Sequence, residues 1–156
     1  MLEDAFNDVY DKFKINFYRN IFSGFETRET SLTTLETFCL EVIYVLNNPT
    51  LNELATFLNI SQPNMAYKIA SLVKKGYVIK IQSESDKREF HLSLTDKFYK
   101  YYNIKNDYIK LVLSRLKNTY SEDELKKFEQ MLTIVSTELM PEVTQFIKNK
   151  DMNTLD

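Results

Sequence analysis

The sequence predicts a mainly α chain of α+β class, with about six helices and one β-hairpin, and three observations carry that prediction. Apolar residues recur at three- and four-residue steps through most of the chain. Helix-start signals, in which Thr or Ser precedes Glu by three positions, stand at Thr33/Glu36, Thr50/Glu53 and Ser121/Glu124. One central stretch, residues 77–94, changes to a period of two around a charged middle.

The first helix is expected from about Leu2 to about Phe22, with Phe6, Val9, Phe13, Phe17 and Ile21 in one apolar stripe. Gly24 and the polar stretch Glu26–Ser31 interrupt it, and Thr33 opens a second helix that runs to about Leu46 and stops at Asn47-Asn48-Pro49. Thr50 opens a short third helix with Leu51, Leu54, Ala55 and Leu58 as its apolar positions. Asn59 can end it, because asparagine tolerates the left-handed conformation of a tight turn, and Ile60 then supplies a buried plug. Ser61 is an N-cap for the next helix, and Pro63 lies in its first turn, where a missing N–H does no harm. At about 100° per residue from Ile69, the residues Met65, Ala66, Leu72 and Val73 fall on the core side, and Asn64, Tyr67, Lys68, Ser71, Lys74 and Lys75 fall opposite. Gly76 is the stop.

Tyr77–Gln82 and Phe90–Leu94 alternate as strands around the charged tip Ser83–Glu89. Thr95 is expected to cap a long helix to about Leu116, and a last helix should run from Glu122 to about Lys148 with a bend at Pro141. The polar tail Asp151–Asp156 reads as loose. With 156 residues the expectation is a single domain over 1–156, in which 31–95 form the central unit and 1–24 and 96–148 are flanking helices.

Composition narrows the function. Apolar residues make up 44% of the chain but are interrupted everywhere by charge, so no membrane association is expected, and the acidic start (Glu3, Asp4, Asp8) is unlike a secretory signal. A cytoplasmic location follows as the expectation. One cysteine and one histidine leave no intramolecular disulfide and too few soft ligands for a zinc site of usual spacing. Two glycines are too few for the loops that bring backbone amides against phosphate, so neither a P-loop nor a dinucleotide fold is expected. Neither a cofactor nor an enzymatic activity is expected. Cys39, between Phe38 and Leu40, reads as a small core residue rather than a redox sensor. His91 reads as a structural or phosphate-facing residue on the polar face of the hairpin, not a catalytic one.

The formal charge of −2 hides a segregation. Residues 61–91 hold 6 Lys/Arg against 3 Asp/Glu, whereas residues 1–60 hold 4 against 9. Positive charge therefore collects on a helix-turn-helix and on the hairpin that follows it, which together make a winged helix-turn-helix. The layout suits double-stranded DNA: a helix enters the major groove, where Asn pairs with adenine and Gln or Ser reads base edges, and an arginine-tipped hairpin suits a narrow minor groove. The candidate DNA-binding residues are Ser61, Gln62, Pro63, Asn64, Tyr67, Lys68, Lys74 and Lys75 on the helix, with Asp86, Lys87 and Arg88 on the wing. The rival reading is a winged-helix adaptor that binds protein and never meets DNA. The basic centre beside an acidic N-terminal arm disfavours it.

The stretch LNELATFLNISQPNMAYKIASLVKKGYVIKIQSESDKREFHLSLT closely resembles the winged helix of the MarR family of bacterial transcriptional regulators, with the ELA, KKGY and D-x-R elements at the family's distances. Asn59 stands where members often carry glycine, and Pro63 where others contact DNA, so base preference does not transfer. The resemblance implies a homodimer held by the first and last two helices, residues 61–75 as recognition helix, and Asp86 orienting Arg88. It also implies a pseudo-palindromic operator, repression in preference to activation, and a small lipophilic effector in a cleft that Phe13, Phe17, Phe38 and Tyr101 would line. The apolar stripes of the flanking helices agree with a dimer, since a winged domain of about 65 residues cannot cover them.

Overall fold

A computed structural model of the chain describes residues 1–23 and 32–147. Its elements, in order, are α1 (Leu2–Ser23), α2 (Thr34–Leu46), α3 (Leu51–Leu58), α4 (Gln62–Lys74), β1 (Val78–Gln82), β2 (Phe90–Leu94), α5 (Asp96–Thr119), α6 (Glu122–Glu138) and the single turn α7 (Pro141–Thr144). The expected break at Gly24 and Glu26–Ser31, the end of the last helix at Lys148, and the tail Asp151–Asp156 lie outside the described residues. The chain divides into two compact units, one of Met1–Ser31 with Tyr99–Leu132 and one of Leu32–Phe98 with Thr133–Asp156.

In the second unit the start signals act as expected. Thr33 Oγ1 accepts from the Glu36 N–H while the Glu36 carboxylate accepts from the Thr33 N–H, and Thr50 with Glu53 repeats the pattern. Asn47, Asn48 and Asn59 take positive φ values of 57°, 56° and 51°, so three asparagines make the two sharp turns that bracket α3. Ile60, expected as a buried plug, is only half-buried, although its N–H closes the turn onto the Ala55 carbonyl. Ser61 occupies the cap position of α4 without a side-chain cap bond. Gly76 ends the α4 turn at φ +80°, a conformation that costs a Cβ-bearing residue dearly.

The core of this unit gathers Leu40, Ile43, Leu54, Met65, Ile69, Leu72 and Leu92, all fully buried. Val73, expected among them, is 37% exposed. The buried face of α4 centres between Ile69 and Leu72, which leaves Val73 about 70° from its middle. β1 and β2 pair antiparallel, Val78 opposite Leu94 and Gln82 opposite Phe90. A backbone bridge from Thr50 to His91, the Leu92 N–H on the Pro49 carbonyl (2.8 Å), and His91 Nδ1 against the Asn48 carbonyl (3.2 Å) fasten the hairpin to the α2–α3 turn. His91 is therefore structural.

In the first unit Phe17 and Tyr101 are buried edge to face with centroids 5.8 Å apart, and Phe13 meets Tyr108 in the same way at 5.4 Å. α6 starts on the Ser121/Glu124 box and buries none of its side chains. The helix expected to bend at Pro141 instead ends at Glu138, and α7 restarts at Pro141. Proline has no N–H to continue the ladder but fits a first helical turn, so it favours a restart over a bend.

Candidate nucleic-acid interface

α4 presents three different flanks. Met65, Ile69 and Leu72 face the core. Pro63, Asn64, Tyr67, Ala70 and Lys74 are exposed, with Tyr67 at 73%. Lys68, Ser71 and Lys75 form a half-buried polar flank, and two of them bind α2.

That third flank separates residues that angle alone had grouped together. Lys75 does not join the exposed row, because its ammonium pairs with the Glu36 carboxylate at 2.7 Å. Ser71, expected on the far polar face, also donates to Glu36. Burial pushes the Glu36 carboxyl up, but hydrogen bonds from Lys75, Ser71 and the Thr33 N–H outweigh it and bring the pKa down to about 2. Lys68 leans across Tyr67, its ammonium 5.9 Å from the ring centroid. At the start of α4, Gln62 Nε2 donates to Asn52 Oδ1 on α3 at 2.6 Å, which fixes an exposed amide and brings Asn52 into the site. Ser61 is exposed beside it.

The wing turns tightly. Ser83 and Glu89 close it backbone to backbone, and Ser83, although in the tip, is buried with its hydroxyl on Ser85 and below the Asp86 N–H. Asp86 Oδ1 accepts from both the backbone N–H (2.9 Å) and Nε (3.3 Å) of Arg88, and these bonds hold the carboxyl below its ordinary range. Arg88 itself is 92% exposed, so its remaining donors point to solvent. Lys87 is exposed in the same tip, beside an open Arg88.

The structure thus brings an amide, an aromatic ring and a lysine onto one open helix face, and an oriented guanidinium onto a separate hairpin. Sequence reasoning missed Ala70, Asn52, Ser71 as a donor to Glu36, and Glu36 itself. Ala70 was legible from its place between Tyr67 and Lys74; the others depend on contacts between distant segments. Of the aromatics expected to line an effector cleft, Phe17 and Tyr101 fill each other's space in the first unit, Phe13 packs on Tyr108, and Phe38 on α2 is 45% exposed.

A family model described as MarR family matches residues 32–90. An HTH-type transcriptional regulator of Clostridioides difficile (strain CD3), BilQ, is 31% identical over 99 residues, which are 63% of this chain and 66% of that protein, just under two thirds of its length. Among solved structures, a point mutant of MepR from a multidrug-resistant S. aureus clinical isolate superposes with a TM-score of 0.67 at 17% identity, over 90% of this chain and 98% of that one. Streptococcus pneumoniae FabT in complex with DNA superposes at 0.56 and 19% identity, over 89% and 97%. At such identities the likeness speaks for the fold.

Proposed function

We propose that the chain is a member of the MarR family and acts as a dimeric, sequence-specific DNA-binding transcriptional regulator whose α4 enters the major groove and whose wing reaches the adjoining minor groove. One observation carries the reading: the open row Pro63, Asn64, Tyr67, Ala70 and Lys74 takes no part in the core, while the opposite face of the same helix is fully buried. Asn64 reads an adenine edge, Ala70 meets thymine methyl groups, and Lys68, Lys74, Lys87 and Arg88 neutralise phosphate or enter the minor groove. Lys75 holds the helix in place.

The two-fold partner is a second copy. Phe6 and Val9 of α1, Leu111 and Leu113 of α5, and Phe128 and Met131 of α6 are exposed. A surface so apolar is supported best as a subunit interface formed by the helices of 1–24 and 96–148, with 31–95 as the DNA-reading part. Repression is the expected sign, since a bound dimer occludes the promoter, and a small lipophilic effector relieves it; the half-exposed Phe38 supports such a ligand. No helix among the described residues is long and apolar enough to cross a membrane, and a DNA target supports a cytoplasmic location.

A mobility shift on fragments of the source genome at two salt concentrations tests the reading. Retention of a few fragments that survives the higher salt supports it. Retention of all fragments alike, or of none, refutes it.

A further inference from the structure

A helix reads base edges only when its rotation about its own axis is fixed. On α4 one buried carboxylate sets that rotation. Glu36 is 3% exposed, and it accepts from Ser71 Oγ (2.5 Å), Lys75 Nζ (2.7 Å) and the Thr33 N–H (2.8 Å). Ser71 and Lys75 stand one turn apart, so the two bonds bind one flank of α4 to the start of α2. The end of the helix is held from the other side. Lys97 Nζ donates to the Lys75 carbonyl at 2.7 Å, over the Tyr77 ring, and the Thr95 hydroxyl donates to the Gly76 carbonyl at 2.6 Å. Lys75 is gripped by its side chain from α2 and by its carbonyl from the start of α5.

We propose that Glu36 is the positioning residue of the recognition helix, setting the rotation of α4 through Ser71 and Lys75, and that Lys75 serves sequence discrimination without touching DNA. The proposal rests on the DNA-binding reading above and deepens it. Its physical basis is directionality. A buried ion pair is often no more stabilising than apolar side chains of the same volume, so a carboxylate with three aimed donors stands out for the geometry it imposes. Apolar contacts let a helix roll, whereas hydrogen bonds weaken steeply as they leave line. A roll of about 20° moves a side-chain tip by roughly 2 Å, given a helix radius of about 5–6 Å with side chains. That displacement breaks a two-bond base contact, while a long lysine still reaches its phosphate.

Glu36→Gln, Lys75→Met and the double variant of the full chain test this, with binding measured by fluorescence anisotropy on the preferred duplex and on a scrambled one. The expected result is a fall of roughly tenfold in the ratio of specific to non-specific affinity for each single variant. Affinity for the scrambled duplex and its salt slope stay at the wild-type value, and the double variant is no worse than either single one. A Lys75 that contacts phosphate gives the opposite pattern and overturns the proposal: Glu36→Gln then frees the ammonium and strengthens binding to both duplexes, while Lys75→Met weakens both and lowers the salt slope by about one. Single variants that keep the wild-type ratio overturn it as well. Should Glu36→Gln melt below the assay temperature, Ser71→Ala decides, because it removes one bond and leaves both charges. Lost discrimination supports the proposal, and wild-type discrimination rejects it. Failure of the DNA-binding reading itself shows earlier, as a wild-type protein that prefers no duplex.

Discussion

Glu36 links stability to pH as well as to binding. Its carboxyl titrates at about 2 in the fold against an ordinary 4.5, so the unfolded chain takes up the proton first as pH falls. The stabilisation is therefore fully present above pH 4.5 and is lost between 4.5 and about 2. At about 1.4 kcal/mol per pH unit it amounts to at most roughly 3–4 kcal/mol. Thermal melting should drop through that window, and Glu36→Gln should flatten the drop; an equally steep drop in the variant contradicts the assignment. Cys39 shows the reverse shift, since burial raises its thiol to about 11 against the opposing charge of Lys68. Almost no thiolate exists at neutral pH, so peroxide should leave DNA binding intact. Loss of binding that Cys39→Ser prevents reverses that conclusion. On the open face, Asn64→Ala should cost roughly 1–3 kcal/mol on the preferred site and relax one position per half-site. Lys74→Ala should weaken all sequences alike and lower the salt slope by about one. Equal losses on preferred and scrambled duplexes for both variants mean that Asn64 reads no base.

Among the elements, those defined by local chemistry were legible and those defined by distant contacts were not. Capping boxes at Thr33/Glu36, Thr50/Glu53 and Ser121/Glu124 mark helix starts because both halves lie within one turn, and asparagine marks the turns because its backbone preference is intrinsic. Period-two alternation found the hairpin for the same reason. The flanks of α4 are another matter. Angle divides a helix into core and solvent, but a third flank against α2 exists only once α2 is in place, and Glu36, 39 residues before Lys75, gave no sign of it. The bridge from Thr50 to His91 was hidden likewise, whereas the restart at Pro141 has a local cause in proline itself, which fits a first helical turn better than a bend. The wing is an element whose exposed arginine is separable from its fold. Arg88→Ala should weaken operator binding while the melting temperature stays put, because the buried Ser83 and the backbone bonds of the tip do not involve its side chain. Unchanged affinity with unchanged melting removes Arg88 from the interface.

The whole molecule joins two features: the proposed basic reading surface on one unit and, among the described residues, helices that leave apolar side chains such as Phe6, Leu111 and Phe128 exposed. Light scattering should give twice the chain mass at micromolar concentration, and a monomer there contradicts the proposed assembly. Two winged helices related by a two-fold axis impose a spacing on whatever they bind, with half-site centres about 10 base pairs apart for one helical turn, or a multiple of it. The most direct test is therefore to incubate the protein with random duplexes at physiological salt and sequence those it retains. The expected result is enrichment of an inverted repeat at that spacing, with two chains per duplex. Retained duplexes that share no motif, or a single unrepeated half-site bound by one chain, would contradict a dimeric, sequence-reading regulator.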